Sequence, residues 1–208
     1  MKLLNALLNE KYARKAAVVL QWACYVVMVF FVLTLVLACL GRQTFALNTG
    51  TGFYENAIYA GQDHEWRSRG FTVYSGDDIL VTANDGDQID LATHIGLSLM
   101  FAAQSLPTLA MYWLLSRVFA NVAQGIVFTG QNARYLLGYG LLQLFLAVCL
   151  PFLKLLICHL TNLVSGSRIA LSTGAGMLDS LFTGIAFIVA AYILQYGIAL
   201  QDEVDHTL

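Results

Sequence analysis

Charge and proline are what this sequence has least of. Charged residues make up 12% of its 208 positions and there are two prolines, against 58% apolar residues and a mean hydropathy of +0.67. A soluble domain carries about 25% charged residues, so this balance excludes an ordinary water-soluble fold. Catalytic signatures are missing too. No C-x-x-C occurs, which argues against a membrane thiol oxidoreductase of the four-helix, quinone-coupled kind. His64, His94, His159 and His206 are scattered, with no pair at helical spacing for zinc or a bis-histidine haem. There is no G-x-S-x-G, no phosphate-binding glycine loop and no H-E-x-x-H. A non-enzymatic protein without metal or cofactor is expected.

What is present is long apolar runs. Ala16 to Leu40, Leu91 to Leu115, Leu136 to Cys158 and Gly176 to Leu200 each reach the roughly 20 residues that a helix needs to cross a hydrocarbon core. The expected fold is therefore an all-α integral membrane protein, a four-transmembrane-helix bundle with a small β-containing extracytoplasmic loop. Lys2, Lys11, Arg14 and Lys15 precede the first span against Glu10 alone, and the link after the second adds Arg117 and Arg134 without an acid. The positive-inside rule then places the N-terminus in the cytoplasm, and an even span count returns the C-terminus there. Arg42, Arg67, Arg69, Lys154 and Arg168 fall on the other side, so the N-terminal cluster carries most of this orientation. The setting is a bacterial inner membrane. The run from Ala16 is longer than a signal-peptide core and is read as an anchor; "VLAC" at Val36 to Cys39 resembles a lipoprotein cleavage box, but Leu37 fits it poorly and three spans follow.

Residues 2 to 15 put Leu3, Leu4, Leu7 and Leu8 on one face, as in a short interfacial helix, or else extend the first span. Residues 41 to 90 are polar and contain eight of the thirteen acids. Within them Phe71 to Tyr74 and Ile79 to Ala83, separated by Ser75, Gly76, Asp77 and Asp78, read as the two strands of a hairpin. The acids Asp77, Asp78, Asp85, Asp87 and Asp90 lack the order of a calcium loop and read as a solvated cluster.

Pro107 and Pro151 lie inside spans, where proline is tolerated. Lys154 lies near a span end, where it can snorkel, and Asp179 opens the fourth span, where a helix dipole favours a carboxylate. The alternative is that the two form an intramembrane pair on a transport pathway. Cys24, Cys39, Cys149 and Cys158 read as packing residues in or at the ends of spans, with a bridge between Cys39 and Cys158 left open. Glycine-rich points such as Gly138 to Gly140, Gly174 to Gly176 and Gly184 permit close helix approach.

Two segments go further. One is "ANVAQGIVFTGQNARYLLGYGLL", with Gly125, Phe128, Thr129, Asn132 and Gly138; the other is "YILQYGIALQDEVDHTL", with Gly197, Leu200, Glu203, Asp205, Thr207 and Leu208. Together they resemble the bacterial domain-of-unknown-function family two-nine-seven-five, four-span membrane proteins with a G-x-x-F-T-x-x-N link and a G-x-x-L-x-x-E-x-D-L-T tail. His206 stands where that family usually has Leu, and Tyr192 to Gly197 lacks the charged residue that often occurs there. The family's activity is not established. Its members are commonly encoded beside a small helix-turn-helix DNA-binding protein, so the resemblance implies such a protein as partner.

The tail supports that partner on its own terms. If the helix continues, Leu200, Val204 and Leu208 form a stripe flanked by Asp202, Glu203 and Asp205, an acidic edge suited to a basic partner such as a DNA-binding protein. The competing reading is that these acids only solubilise a helix end, with Thr129 as an N-cap under either reading. The expected partner-binding residues are Phe128, Asn132, Arg134, Leu200, Glu203, Val204, Asp205 and Leu208, with Arg117 helping to shape the link. The expected function is a membrane protein that binds or sequesters a small cytoplasmic helix-turn-helix regulator, contacting the lipid bilayer but no nucleic acid directly, with homo-oligomerisation open. The alternative is a small transporter component using Lys154 and Asp179.

Overall fold

The computed structural model describes residues 10–60, 70–74, 78–172 and 177–207. The chain is mostly helical: α1 (Glu10–Cys39), α2 (Leu91–Ala123), α3 (Gly130–Leu144), α4 (Leu150–Val164) and α5 (Met177–Thr207), with α3 and α4 joined through a π turn, Phe145–Cys149. Four helical stretches are long and apolar enough to cross a membrane: Lys11–Cys39, Leu91–Ala123, Gly130–Val164 and Leu178–Gln201. The helices overrun the expected spans, because an apolar window marks the hydrocarbon section whereas backbone hydrogen bonding continues until a breaker is met. In α2 that breaker is Gly125, at φ +82°, just past the helix end at Ala123 and well beyond the apolar run that closes at Leu115. Glu10 to Lys15 belong to α1, so this part of the expected interfacial segment extends the first span; residues 1–9 lie outside the described ones.

The π turn has a local cause. Pro151 has no N–H to offer and its ring crowds the carbonyl four residues back, so the wider turn at 145–149 accommodates it before α4 resumes.

The chain divides into two compact units. The first comprises Met1–Phe30, Pro107–Phe145 and Leu178–Leu208. Its α3 and α5 approach at a glycine pair: a Cβ on Gly140 would stand 2.8 Å from the Gly184 carbonyl, and one on Gly184 would stand 3.0 Å from the Gly140 carbonyl. Backbone thus lies against backbone, the small-residue crossing available where apolar solvent gives helices no hydrophobic reason to associate. Tyr139 packs on Phe187 beside it at 4.3 Å. Outward-facing positions are apolar: Val19, Trp22, Val26, Phe182, Tyr192 and Ile193 are all exposed. In water such a surface would aggregate, whereas lipid covers it without cost.

The second unit comprises Phe31–Leu106 and Leu146–Met177 and holds a five-stranded mixed sheet. Its strands are β1 (Gln43–Thr49), β2 (Gly52–Ile58), β3 (Val73–Tyr74), β4 (Asp78–Thr82) and β5 (Arg168–Ser172), in the order β2-β1-β4-β5 with β3 also on β1. Among the described residues, the two runs expected to form a hairpin, Phe71 to Tyr74 and Ile79 to Ala83, do not pair with each other. Both runs pair parallel to β1, Gln43 opposite Val73 and Ala46 opposite Leu80, and because β2 occupies the other edge of β1 they lie end to end along one edge. A seven-residue strand offers enough backbone for both runs, and that pairing wins over the local turn. The true hairpin is β1–β2, closed through Thr49, whose hydroxyl accepts from Gly52 N at 3.0 Å. The loop expected at 159–175 supplies an edge strand, β5, antiparallel to β4.

One face of the sheet is a core. Phe45, Leu47, Ile79, Val81 and Ile169 are buried there with Ile89, Leu97, Met100 and Cys158. Asn162 of α4 docks β5 as a neighbouring strand would, accepting from Ile169 N at 2.8 Å and donating to Ile169 O at 2.9 Å. Gly96 of α2 lies against Thr161 of α4 so closely that any side chain there would displace the threonine.

Asp90 fastens the two loops of this unit. Its carboxylate caps α2 through Thr93 N (3.0 Å) and the Thr93 hydroxyl (2.7 Å), and it reaches across to the Ser165 hydroxyl (2.8 Å) and Gly166 N (2.8 Å). Burial pushes the carboxyl pKa up, but the bonds from Thr93, Ser165 and Gly166 outweigh it and hold the group below the usual carboxylate range.

Candidate functional site

The turn between α2 and α3 is built from its amides. Gly125 closes α2 in a left-handed conformation, with Gly125 N donating to Val122 O at 3.0 Å and Ile126 N to Asn121 O at 2.9 Å, a Schellman arrangement. The Arg14 guanidinium lies over Gly125 where a Cβ would sit, so glycine is required there for φ and leaves the arginine head its place. Thr129 caps α3, accepting from Asn132 N at 3.3 Å. The Asn132 amide then closes the loop. Its Nδ2 donates to Ile126 O and to Val127 O, both at 2.9 Å, and its Oδ1 accepts from Asn121 Nδ2 at 2.7 Å.

This fixes which groups face out. Asn132 is 1% exposed, so it is a residue that holds the turn and not a contact on its surface, a correction to the expected contact set. With the carbonyls of Ile126 and Val127 bonded to Asn132, Ile126, Val127 and Phe128 keep exposed side chains, Phe128 at 62%. The Phe128 ring also leans toward α5, with Cε1 3.9 Å from the position of a Cβ on Gly197. The two segments singled out in the sequence, the link and the tail, therefore meet at Phe128 and Gly197. Arg134 is exposed in the first turns of α3, and Arg117 is exposed with its guanidinium 5.4 Å from the Trp113 ring centroid.

Helix α5 runs without a break to Thr207. At 31 residues it is about 46 Å long, more than the roughly 30 Å of a hydrocarbon core, so its last turns extend beyond a span. Leu200 and Glu203 are exposed on this extension. Val204 and Asp205 continue the helix backbone, one turn after Leu200 in the first case; Leu208 lies outside the described residues.

The expected pair Lys154 and Asp179 fares differently. Lys154 does not snorkel: it is 7% exposed, with Nζ donating to Gln104 Oε1 of α2 at 2.7 Å. A buried ammonium needs an acceptor, and Gln104, a polar residue inside an apolar run, is the signal for it in the sequence. Asp179 is exposed in the first turn of α5, where its carbonyl accepts from the Thr183 hydroxyl at 2.7 Å.

Among the described residues no group of acids, histidines and cysteines is arranged to hold a metal ion, and all four cysteines are free. Asp87 accepts from Gly50 N at 2.6 Å, and Asn84 Oδ1 accepts from Gly86 N (3.1 Å) and Gln88 N (2.9 Å), so these loop groups serve backbone amides. No family model, curated protein or solved structure matches the chain.

Proposed function

We propose that this chain is a non-enzymatic membrane regulator whose α2–α3 turn and α5 extension form a cytoplasmic docking surface for a small helix-turn-helix DNA-binding protein. The observation that carries the reading is the approach of Phe128 to Gly197, which joins an exposed apolar tip, Ile126 to Phe128, to the helix that continues into Glu203. Apolar contact surrounded by charge is the composition of a protein interface. Asp202, Glu203 and Asp205 would oppose the basic surface by which the partner otherwise binds phosphate, so docking and DNA binding would exclude each other. The cytoplasmic placement is supported by Lys11, Arg14, Lys15, Arg117 and Arg134, all within the first unit, through the positive-inside rule. The resemblance to the uncharacterised family supplies the class of partner.

The test is a pull-down of the full chain in lipid nanodiscs against cytoplasmic proteins encoded near it, read out as capture of a small helix-turn-helix protein. Capture that falls on Glu203→Lys with Asp205→Lys, and again on Phe128→Ala, supports docking at this surface. Capture unaffected by both sets of changes, or no capture, overturns it.

A second reading, a transport component, rests on the buried Lys154–Gln104 contact, since an ionisable side chain within a span marks a functional position by default. Solute flux that depends on Lys154 and Asp179 and ignores removal of the tail would favour it.

A further inference from the structure

The sheet has a second face, opposite its core. Registers that place residues directly across from one another also place them on one face, so Ala46, Leu80 and Ala170 form a row across β1, β4 and β5. Phe53 lies opposite Asn48, two residues on from Ala46, and Tyr74 lies opposite Thr44, two residues before it, so both aromatic rings belong to this face. Together these residues line a cavity of about 500 Å³, and Glu55, two residues on from Phe53 along β2, lies on the same face. That volume is within the usual range for a small-molecule site.

The composition of the cavity selects its ligand. The floor is small and aliphatic, and Phe53 and Tyr74 present exposed rings beside it. The carboxylate in the lining is that of Glu55, which is exposed and forms no ion pair among the described residues. Aromatic faces attract a cation through their quadrupole, a carboxylate attracts it through charge, and a methyl-sized floor accepts an apolar body. Residues 41–90, which supply most of the lining, hold eight of the thirteen acids against Arg42, Arg67 and Arg69, so this segment is net acidic and favours a cation over an anion.

We propose that this cavity binds a small organic ammonium, with its apolar body over the Ala46–Leu80–Ala170 row and its charged head at Glu55 between the aromatic rings. The site lies wholly in the sheet-bearing unit, so it stands whether or not the α5 extension docks a partner.

The experiment compares three probes of one shape on the full chain in phosphatidylcholine nanodiscs, with empty discs subtracted: phenethylammonium, phenethyl alcohol and 3-phenylpropanoate. The ammonium is expected to bind about tenfold tighter than the alcohol, and the propanoate more weakly than either. Glu55→Gln should bring the ammonium down to the affinity of the alcohol, and Ala170→Trp, filling the floor from an exposed position, should abolish all binding without lowering the melting temperature. Equal affinity for ammonium and alcohol would overturn the proposal. So would native affinity in a folded Ala170→Trp protein, or no binding above empty discs. A concentration-dependent dimer that Ala170→Trp breaks would overturn it in favour of a second copy of the chain on this face.

Discussion

Asn132 and Asp90 are each one polar side chain serving several backbone groups, one in each unit. Replacing Asn132 by Ala removes this donor from the carbonyls of Ile126 and Val127, of which Val127 O keeps Thr129 N at 3.2 Å, and each hydrogen bond lost costs about 0.5–1.5 kcal/mol. Asn132→Ala should therefore lower the melting temperature in detergent, whereas Phe128→Ala, at an exposed position, should leave it within a degree or so. Circular dichroism melts check both. For Asp90 the sign follows from the direction of its shift. A carboxyl held below its usual range in the fold contributes stability that is fully present above that range and lost as pH falls through the depressed value. Acid should thus loosen the contact of the 90s with Ser165 and Gly166, and Asp90→Asn should remove that pH dependence; amide exchange at Thr93 and Gly166 would report it. Neither role was legible in the sequence. An Asn in a polar link and an Asp in an acidic loop look the same whether wet or spoken for, and only the carbonyls brought near by Gly125, or Ser165 brought near by a distant helix, decide between them.

The helices were readable because a membrane span is signalled by length and apolarity alone, and those survive without knowledge of neighbours. Strands gave less away. Phe71 to Tyr74 and Ile79 to Ala83 carry strand composition around a turn-like centre, yet their partner is β1, some thirty residues earlier. Composition identifies a strand far better than it identifies the strand beside it. The β1–β2 hairpin has a local signal, the Thr49-Gly50-Thr51-Gly52 turn between Phe- and Tyr-containing runs. The α3–α5 crossing was anticipated in kind, since glycines at 138–140 and 184 imply close packing, but the pairing of Gly140 with Gly184 is a result of the fold. Gly184→Leu should force the two backbones apart and cost about 1–3 kcal/mol. Gly52→Ala, where nothing stands within 4 Å of a Cβ, is the matched control. Equal melting of the two variants would contradict the crossing.

Taken as a molecule, the chain has its wettest material in the sheet-bearing unit and six of its eleven basic residues in the other, with four apolar helices between these sequence segments. The proposed orientation can be read directly. In a chain whose native cysteines are replaced, Ser172→Cys should react with a membrane-impermeant maleimide in intact cells, and Gln131→Cys should react only after the membrane is opened. The reverse pattern would invert the topology and remove the cytoplasmic docking surface with it.

The sheet also sets an order on synthesis. Strand β4 belongs to the connection between the first two spans, whereas β5, which covers its free edge through five opposed pairs from Asp78–Ser172 to Thr82–Arg168, comes after the third. A chain emerging from the ribosome must hold β4 with one edge bare while α3 and α4 are made and inserted, and a bare strand edge is a template for wrong pairing. Completion of the sheet is thus a report that the third helix has been threaded, and a stalled or truncated chain would present that edge to whatever quality-control protease patrols the same side of the membrane.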